Sequence, residues 1–223
     1  AKTSMRDVKR EEIATDFDPT KVMLAITGGE PLLKTDVFDL FHRVRDLGYP
    51  FGMVTNGTLI DDAMAAKLAA CGIGSISISF DAPPAVNDML RGRGVSAKVA
   101  RAAKALQDAG YRGKLEIMTT YTKPVAPHLD ALRSYVASLR IGLWRIVPVM
   151  PIGEAAKRPD LLPDEKDIKT LLDFVVAARK DGFGPAPELG EEGYLGEPYE
   201  GTVRPYKFLC RAGLTIAGIS YDG

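Results

Sequence analysis

Cysteine and histidine are scarce in this chain, with two of each among 223 residues. Cys71 and Cys210 stand far apart, which argues against a disulfide scaffold and for a reducing, cytoplasmic setting. His42 falls inside a helix-like period and His128 opens another, so acid–base chemistry centred on histidine has little support. A surplus of one charge is missing as well: 29 basic and 29 acidic residues cancel. That removes the electrostatic case for a nucleic acid or a membrane surface as partner. No apolar run is long enough to span a bilayer, and no signal peptide is visible. The P-loop, the dinucleotide glycine fingerprint, the HExxH pair and the GxSxG elbow are all absent, which sets aside the chemistries they carry.

What is present is alternation. Short apolar runs at residues 22–27, 50–55, 75–80, 115–121 and 143–149 read as strands. Between and after them, residues 37–47, 61–70, 97–109, 127–139 and 165–180 carry a helical period. Leu47-Gly48, Cys71-Gly72, Ala109-Gly110 and Asp181-Gly182 are helix stops, and Asp61, Pro127 and Pro163-Asp164 are helix starts. The pattern predicts an α/β chain with a parallel sheet, either open and doubly wound or part of a barrel. In both, ligands sit at the C-terminal ends of the strands. From Pro185 onward Gly, Pro, Glu and Tyr dominate, which reads as a loop or linker followed by a short apolar element at residues 214–219.

Polar clusters fall where that architecture places a site. Thr27-Gly28-Gly29-Glu30-Pro31 follows the first strand candidate. Its glycines allow positive φ or close backbone approach, and Glu30 supplies a fixed acceptor for a donor such as an amine. A plain turn can also carry these letters. Asn56-Gly57 follows the second candidate, as a turn signal or a polar contact. Ser79 and Asp81 flank Phe80 at period two, so they point one way and Phe80 the other. Asp81 then faces a ligand or caps the loop before Pro83. Arg91 and Arg93 lie in a glycine-relieved loop, as anion partners or as a solvated basic loop. Arg145, inside a strand candidate, needs a site or a buried partner, and Glu116 on the preceding strand is available. Cys71 reads as a small core residue.

In this order the motifs resemble the radical S-adenosylmethionine superfamily. Thr27-Gly28-Gly29-Glu30-Pro31-Leu32, Val54-Thr55-Asn56-Gly57, Ile78-Ser79-Phe80-Asp81, Arg91-Gly92-Arg93-Gly94 and Pro151-Ile152-Gly153-Glu154-Ala155 carry the likeness. The tail Phe208-Leu209-Cys210-Arg211-Ala212-Gly213 is similar to the entry of a SPASM or twitch auxiliary-cluster region. The resemblance implies a partial (β/α)6 TIM-like barrel over residues 1–184, with its first strand missing, and a linker and the start of that extension over 185–223. It implies S-adenosylmethionine held by Glu30 and the backbone of Gly28, Gly29 and Pro31. Ser79 and Asp81 would lie near the ribose and methionyl parts, Asn56 at a site-facing strand end, and Arg91 near the cofactor carboxylate or a substrate. Val149 would pass the adenine.

The implied chemistry is reductive cleavage of S-adenosylmethionine to a 5'-deoxyadenosyl radical that abstracts hydrogen from a substrate, with peptides or proteins the expected class by analogy. A reducing electron donor and a 4Fe–4S radical cluster belong to that reaction, and Cys210 is the candidate ligand of an auxiliary 4Fe–4S cluster. The chain departs from the family in one respect: the CxxxCxxC hallmark is absent. The expectation is a piece of a longer protein that begins after the cysteine loop and is inactive alone as a radical generator. The competing expectation is a cluster-less binding or scaffold relative.

Overall fold

A computed structural model describes residues 18–190, 193–205 and 215–219. Six strands form one parallel sheet: β1 (Leu24–Ile26), β2 (Phe51–Thr55), β3 (Ser75–Ser79), β4 (Lys114–Tyr121), β5 (Leu143–Pro148) and β6 (Pro187–Leu189). Six helices connect them: α1 (Val37–Asp46), α2 (Asp62–Ala70), α3 (Pro84–Arg91), α4 (Val95–Asp108), α5 (Leu129–Ser138) and α6 (Glu165–Asp181). The strand order runs β1 to β6 without reversal. A doubly wound sheet reverses its order at a switch point, so this is the winding of a barrel. No β1–β6 pairing closes it among the described residues.

The predicted signals act as read. Asp61 caps α2 through the Met64 amide at 2.8 Å, and Asp164 and Asp167 form a reciprocal capping box at the start of α6. Gly48, Gly72, Gly110 and Gly182 follow α1, α2, α4 and α6 with positive φ. Two elements differ from the reading. β6 lies in the stretch taken for a loop, because three residues flanked by Gly and Pro carry no periodicity. α3 occupies much of what read as a basic loop, entered through Pro83-Pro84 and ended by Gly92. The boundary at residue 184 therefore falls just before a strand that pairs with β5.

The two faces of the sheet differ in chemistry. Phe51, Ile76, Ile78, Phe80, Ile117, Trp144 and Ile146 are essentially buried on one face. There Phe41 of α1 packs on Phe51 with ring centroids 5.5 Å apart, Tyr135 of α5 stacks on Phe80 at 5.0 Å, and Phe174 of α6 meets Trp144 edge-on at 6.0 Å. Burying these side chains contributes roughly 1.5–3 kcal/mol each. Side chains alternate along a strand, so the opposite, inner face carries Ser75, Ser77, Ser79, Glu116, Thr120 and Arg145. These polar groups share the inner face with Val54, Met118, Leu143 and Val147, while the helix-covered face is almost wholly apolar. No helix among the described residues is long and apolar enough to cross a membrane.

Candidate functional site

The strand ends gather the polar residues. After β1, Gly28 has a φ of 127°, a conformation L side chains rarely adopt. Gly29 does not share that positive φ, and a Cβ there would meet nothing within 4 Å. Neither strain nor packing within the described residues thus accounts for glycine at 29. Its backbone is left bare at the strand end.

Glu30 then opens a 3₁₀ turn, Pro31–Leu33. Its carboxylate accepts from the Leu32 amide at 3.2 Å, the Thr55 hydroxyl at 2.6 Å and the Asn56 amide at 2.7 Å. A carboxylate offers about four lone-pair directions, so roughly one remains for a ligand donor. Glu30 serves first as the clasp that ties the glycine turn to the end of β2.

Asn56 behaves as a turn residue, its Oδ1 accepting from the Thr58 amide at 2.8 Å and hydroxyl at 2.6 Å. Its Nδ2 makes no hydrogen bond among the described residues and stays available at the strand end. Gly57 follows with a φ of 73°.

Ser79 and Asp81 face inward, and Phe80 packs outward against Tyr135, as the alternation requires. Asp81 is buried, and each of its carboxylate oxygens has a partner. It accepts from the Thr120 amide at 2.8 Å and pairs with Arg91 through Nε. Its own amide donates to Asn87 Oδ1 at 2.9 Å. Asn87, wholly buried, donates in turn to Ser96 Oγ at 3.1 Å. The loop before α4 hangs on Asp88, which takes the Gly94 and Ser96 amides at 2.7 and 2.8 Å. Hydrogen bonding from the Ser96 side chain first, then from the Ser96 and Gly94 amides, holds the Asp88 carboxyl below its usual range. Arg91 thus serves Asp81 directly, while Arg93 is exposed and makes no ion pair among the described residues.

Val149 extends β5 past its last ladder residue, its amide donating to Tyr121 O at 2.9 Å. Glu116 and Arg145 meet as the sequence reading allowed, with Nε 3.1 Å from Oε1. Cys71 is a buried core thiol whose Sγ–H donates to Leu68 O, and burial pushes its titration up. Cys210 lies outside the described residues, as does the tail motif around it.

Sequence reasoning passed over Asn87, and it set Thr55 and Thr120 in strand-end polar clusters without giving either a role of its own. Each acts through a partner from 6 to 39 positions away, and no local pattern marks such a bond. A polar residue closing an otherwise apolar strand, as Thr55 does, is the one available hint.

Chemically, the rim is built to hold. Glu30 and Asp81 both accept from donors on neighbouring elements, and no free nucleophile–base pair is assembled among the described residues. A chain of two cysteines cannot supply three thiolates. Among the described residues no three His, Cys, Asp or Glu side chains gather to take a metal. The residues fit an organic cofactor over the bare Gly28-Gly29 backbone. They do not fit an iron–sulfur cluster.

Comparison with known proteins agrees. A family model described as the radical SAM superfamily matches residues 2–131, more than half of the 223. The mycofactocin maturase MftC of Mycolicibacterium smegmatis is 33% identical over 156 residues, covering 68% of this chain and 39% of that protein. An AdoMet-dependent heme synthase of Oleidesulfovibrio alaskensis is 28% identical over 160 residues, covering 71% and 41%. The chain therefore spans less than half the length of these curated relatives. Among solved structures, Streptococcus suis SuiB bound to the precursor peptide SuiA matches with a TM-score of 0.63 at 20% identity, over 77% of this chain and 38% of that one. The enzyme anSMEcpe with bound AdoMet and Kp18Cys peptide matches with a TM-score of 0.61 at 22% identity, over 74% and 49%. At such identities these structures show a shared fold.

Proposed function

Because the chain belongs to the radical SAM superfamily, we propose that it is the cofactor-holding barrel of an enzyme that modifies a peptide or protein by hydrogen abstraction. The observation that carries this reading is Gly29: bare, unstrained backbone at a strand end, beside a carboxylate already clasped in place. On one-electron reduction, bound S-adenosylmethionine supplies the carbon-centred radical that such an abstraction needs.

The chain's own residues supply position. Carbonyls of the Gly28–Pro31 turn and the open direction of Glu30 would take the cofactor's amine. Asn56 Nδ2 and the Ser79 hydroxyl would offer polar contacts, and the half-buried Val149 an apolar one. Asp81, held by Arg91, Thr120 and Asn87, keeps the β3 and β4 ends at a fixed separation. Such a rim excludes water by rigidity, which protects a reactive species from side reactions.

The peptide class is supported by two structural neighbours solved with peptides bound. Cys210 remains a proposed auxiliary-cluster ligand on sequence resemblance alone, and a lone thiolate would need partners. A second reading, a binding relative without radical chemistry, is favoured by the lack of a three-thiolate set in this chain.

Equilibrium dialysis with labelled S-adenosylmethionine tests the cofactor assignment. The chain is expected to bind it and Gly29→Val to lose it, whereas equal retention by both would refute the cradle. Anaerobic addition of iron and sulfide to this chain is expected to yield no site-differentiated cluster by electron paramagnetic resonance. The same treatment of a longer protein carrying the barrel separates the two readings: cofactor cleavage supports the enzyme, and binding without cleavage supports the scaffold.

A further inference from the structure

Arg145 has so far only a structural partner, yet its setting is that of a ligand-binding group. Strand register places Ser79, Met118, Arg145 and Glu188 in one row across β3 to β6. Arg145 therefore shares the inner face with Ser79, two strands and about 10 Å away at the usual strand spacing. It stands on the face that the strand-end residues Ser79 and Asp81 also line.

The commitments around Arg145 are unequal. Glu116 is nearly buried, and both its oxygens are engaged: Oε2 accepts from Ser77 Oγ, and Oε1 faces Arg145 Nε at 3.1 Å. Nε is the Arg145 nitrogen nearest that carboxylate. Neither of its terminal Nη groups donates a hydrogen bond among the described residues, and its side chain is 41% exposed. Glu188, its neighbour in the row, forms no ion pair with it. The stem is held as well: a Cβ on Gly190 would lie 3.0 Å from Arg145 Cδ, so the bare glycine gives the side chain its lane.

An ion pair kept only for the fold gains little over apolar packing. Here a buried acid aims the guanidinium from one side and leaves the other edge of its planar fork open. That fork matches a carboxylate in two parallel hydrogen bonds.

We propose that Arg145 is an anion anchor inside the barrel, gripping a carboxylate of the molecule seated on the inner face, with Glu116 and Ser77 as its positioning residues. The inference rests on the inner face being the ligand site. The carboxylate has two sources, the amino-acid end of the cofactor or an acidic group of the substrate.

The test follows the 15N arginine side-chain signals of the full 223-residue chain, with Arg145 assigned by the loss of its signal in Arg145→Lys. Acetate is the probe and acetamide its neutral control. Acetate is expected to shift the Arg145 signal and acetamide to leave it in place. S-adenosylmethionine is then added. If it displaces acetate and its decarboxylated analogue does not, the carboxylate is the cofactor's. If it binds and acetate still shifts Arg145, the carboxylate is the substrate's. An Arg145 signal that ignores both acetate and S-adenosylmethionine overturns the anchor. Failure of S-adenosylmethionine to bind, with acetate still shifting Arg145, sinks the cofactor reading and leaves the anchor standing.

Discussion

Glu30 and Asn56, the residues that follow β1 and β2, are joined by a 2.7 Å hydrogen bond from the Asn56 amide to the Glu30 carboxylate. The bond runs between two loops 26 positions apart in sequence. It makes the acidic residue of the glycine turn a structural member, beside the ligand role proposed for it.

Glu30→Ala should therefore do two things at once. Loss of the acceptor leaves the Asn56 amide and Thr55 hydroxyl unpaired in a partly buried place, a cost of about 1–3 kcal/mol. For a chain of this size that lowers Tm by roughly 2–4 °C per kcal/mol. Affinity for S-adenosylmethionine should fall in the same variant, and Glu30→Gln should lie between. Calorimetry of melting and of titration on the three proteins reads both effects. A melting point unchanged in Glu30→Ala would show that the clasp does not hold.

Gly57→Ala tests the next turn. Gly57 has a φ of 73°, and a Cβ there would lie 2.8 Å from Ile78 Cγ2. Left-handed strain and the clash together should cost about 1–3 kcal/mol. The loss should appear in denaturant midpoint at constant slope. A variant as stable as the parent would mean that the turn relaxes freely.

Asn87 is the buried hinge between Asp81 and Ser96, bonding one through Oδ1 and the other through Nδ2. Asn87→Leu keeps the volume and removes both bonds. The Asp81 amide is then orphaned, at about 1–3 kcal/mol. Because Asp81 also holds Thr120 and Arg91, cofactor affinity should drop along with Tm, although Asn87 touches no ligand. Binding unaltered in a destabilised protein would confine Asn87 to a packing role.

Arg133 and Asp181 give the clearest pH dependence. The Arg133 guanidinium, foremost, holds the Asp181 carboxyl down to about 2 from the usual 3.8. A depressed carboxylate stabilises the fold above its unfolded value and loses that contribution as pH falls toward the folded one. Asp181→Asn should therefore lower Tm near neutrality, and the gap to the parent should close between about pH 4 and pH 2. The group is exposed, so the effect is modest and salt-sensitive. Melts across that range in low and high salt check it, and a gap that widens in acid would contradict the pairing.

Much of this architecture is legible in the sequence because it is written locally. β2 to β5 and five of the six helices follow from apolar period, cap residues and glycine stops that lie within a turn or two of each other. The glycine turn, Asn56, Ser79 and Asp81 are visible because strand ends are where short polar clusters interrupt apolar runs. What stays hidden is held by distance. β6 is a three-residue strand defined by its pairing with β5 alone. α3 is built from Pro84 through Arg91, residues whose composition also suits a loop. Asn87, Thr55 and Thr120 gain their roles from partners on other elements. The Arg145 and Glu116 pair is an intermediate case, since a charged residue in an apolar strand announces a need without naming what meets it.

The unreversed strand order has a consequence for how such a chain comes to be built. Each strand docks on the edge left by the one before it, after a single helical crossover. Among the described strands no pairing waits for a distant segment, so this sheet can grow by accretion as the chain leaves the ribosome, in the direction of synthesis. At every stage the latest strand presents an unpaired edge. The next crossover to emerge ends in the strand that covers it.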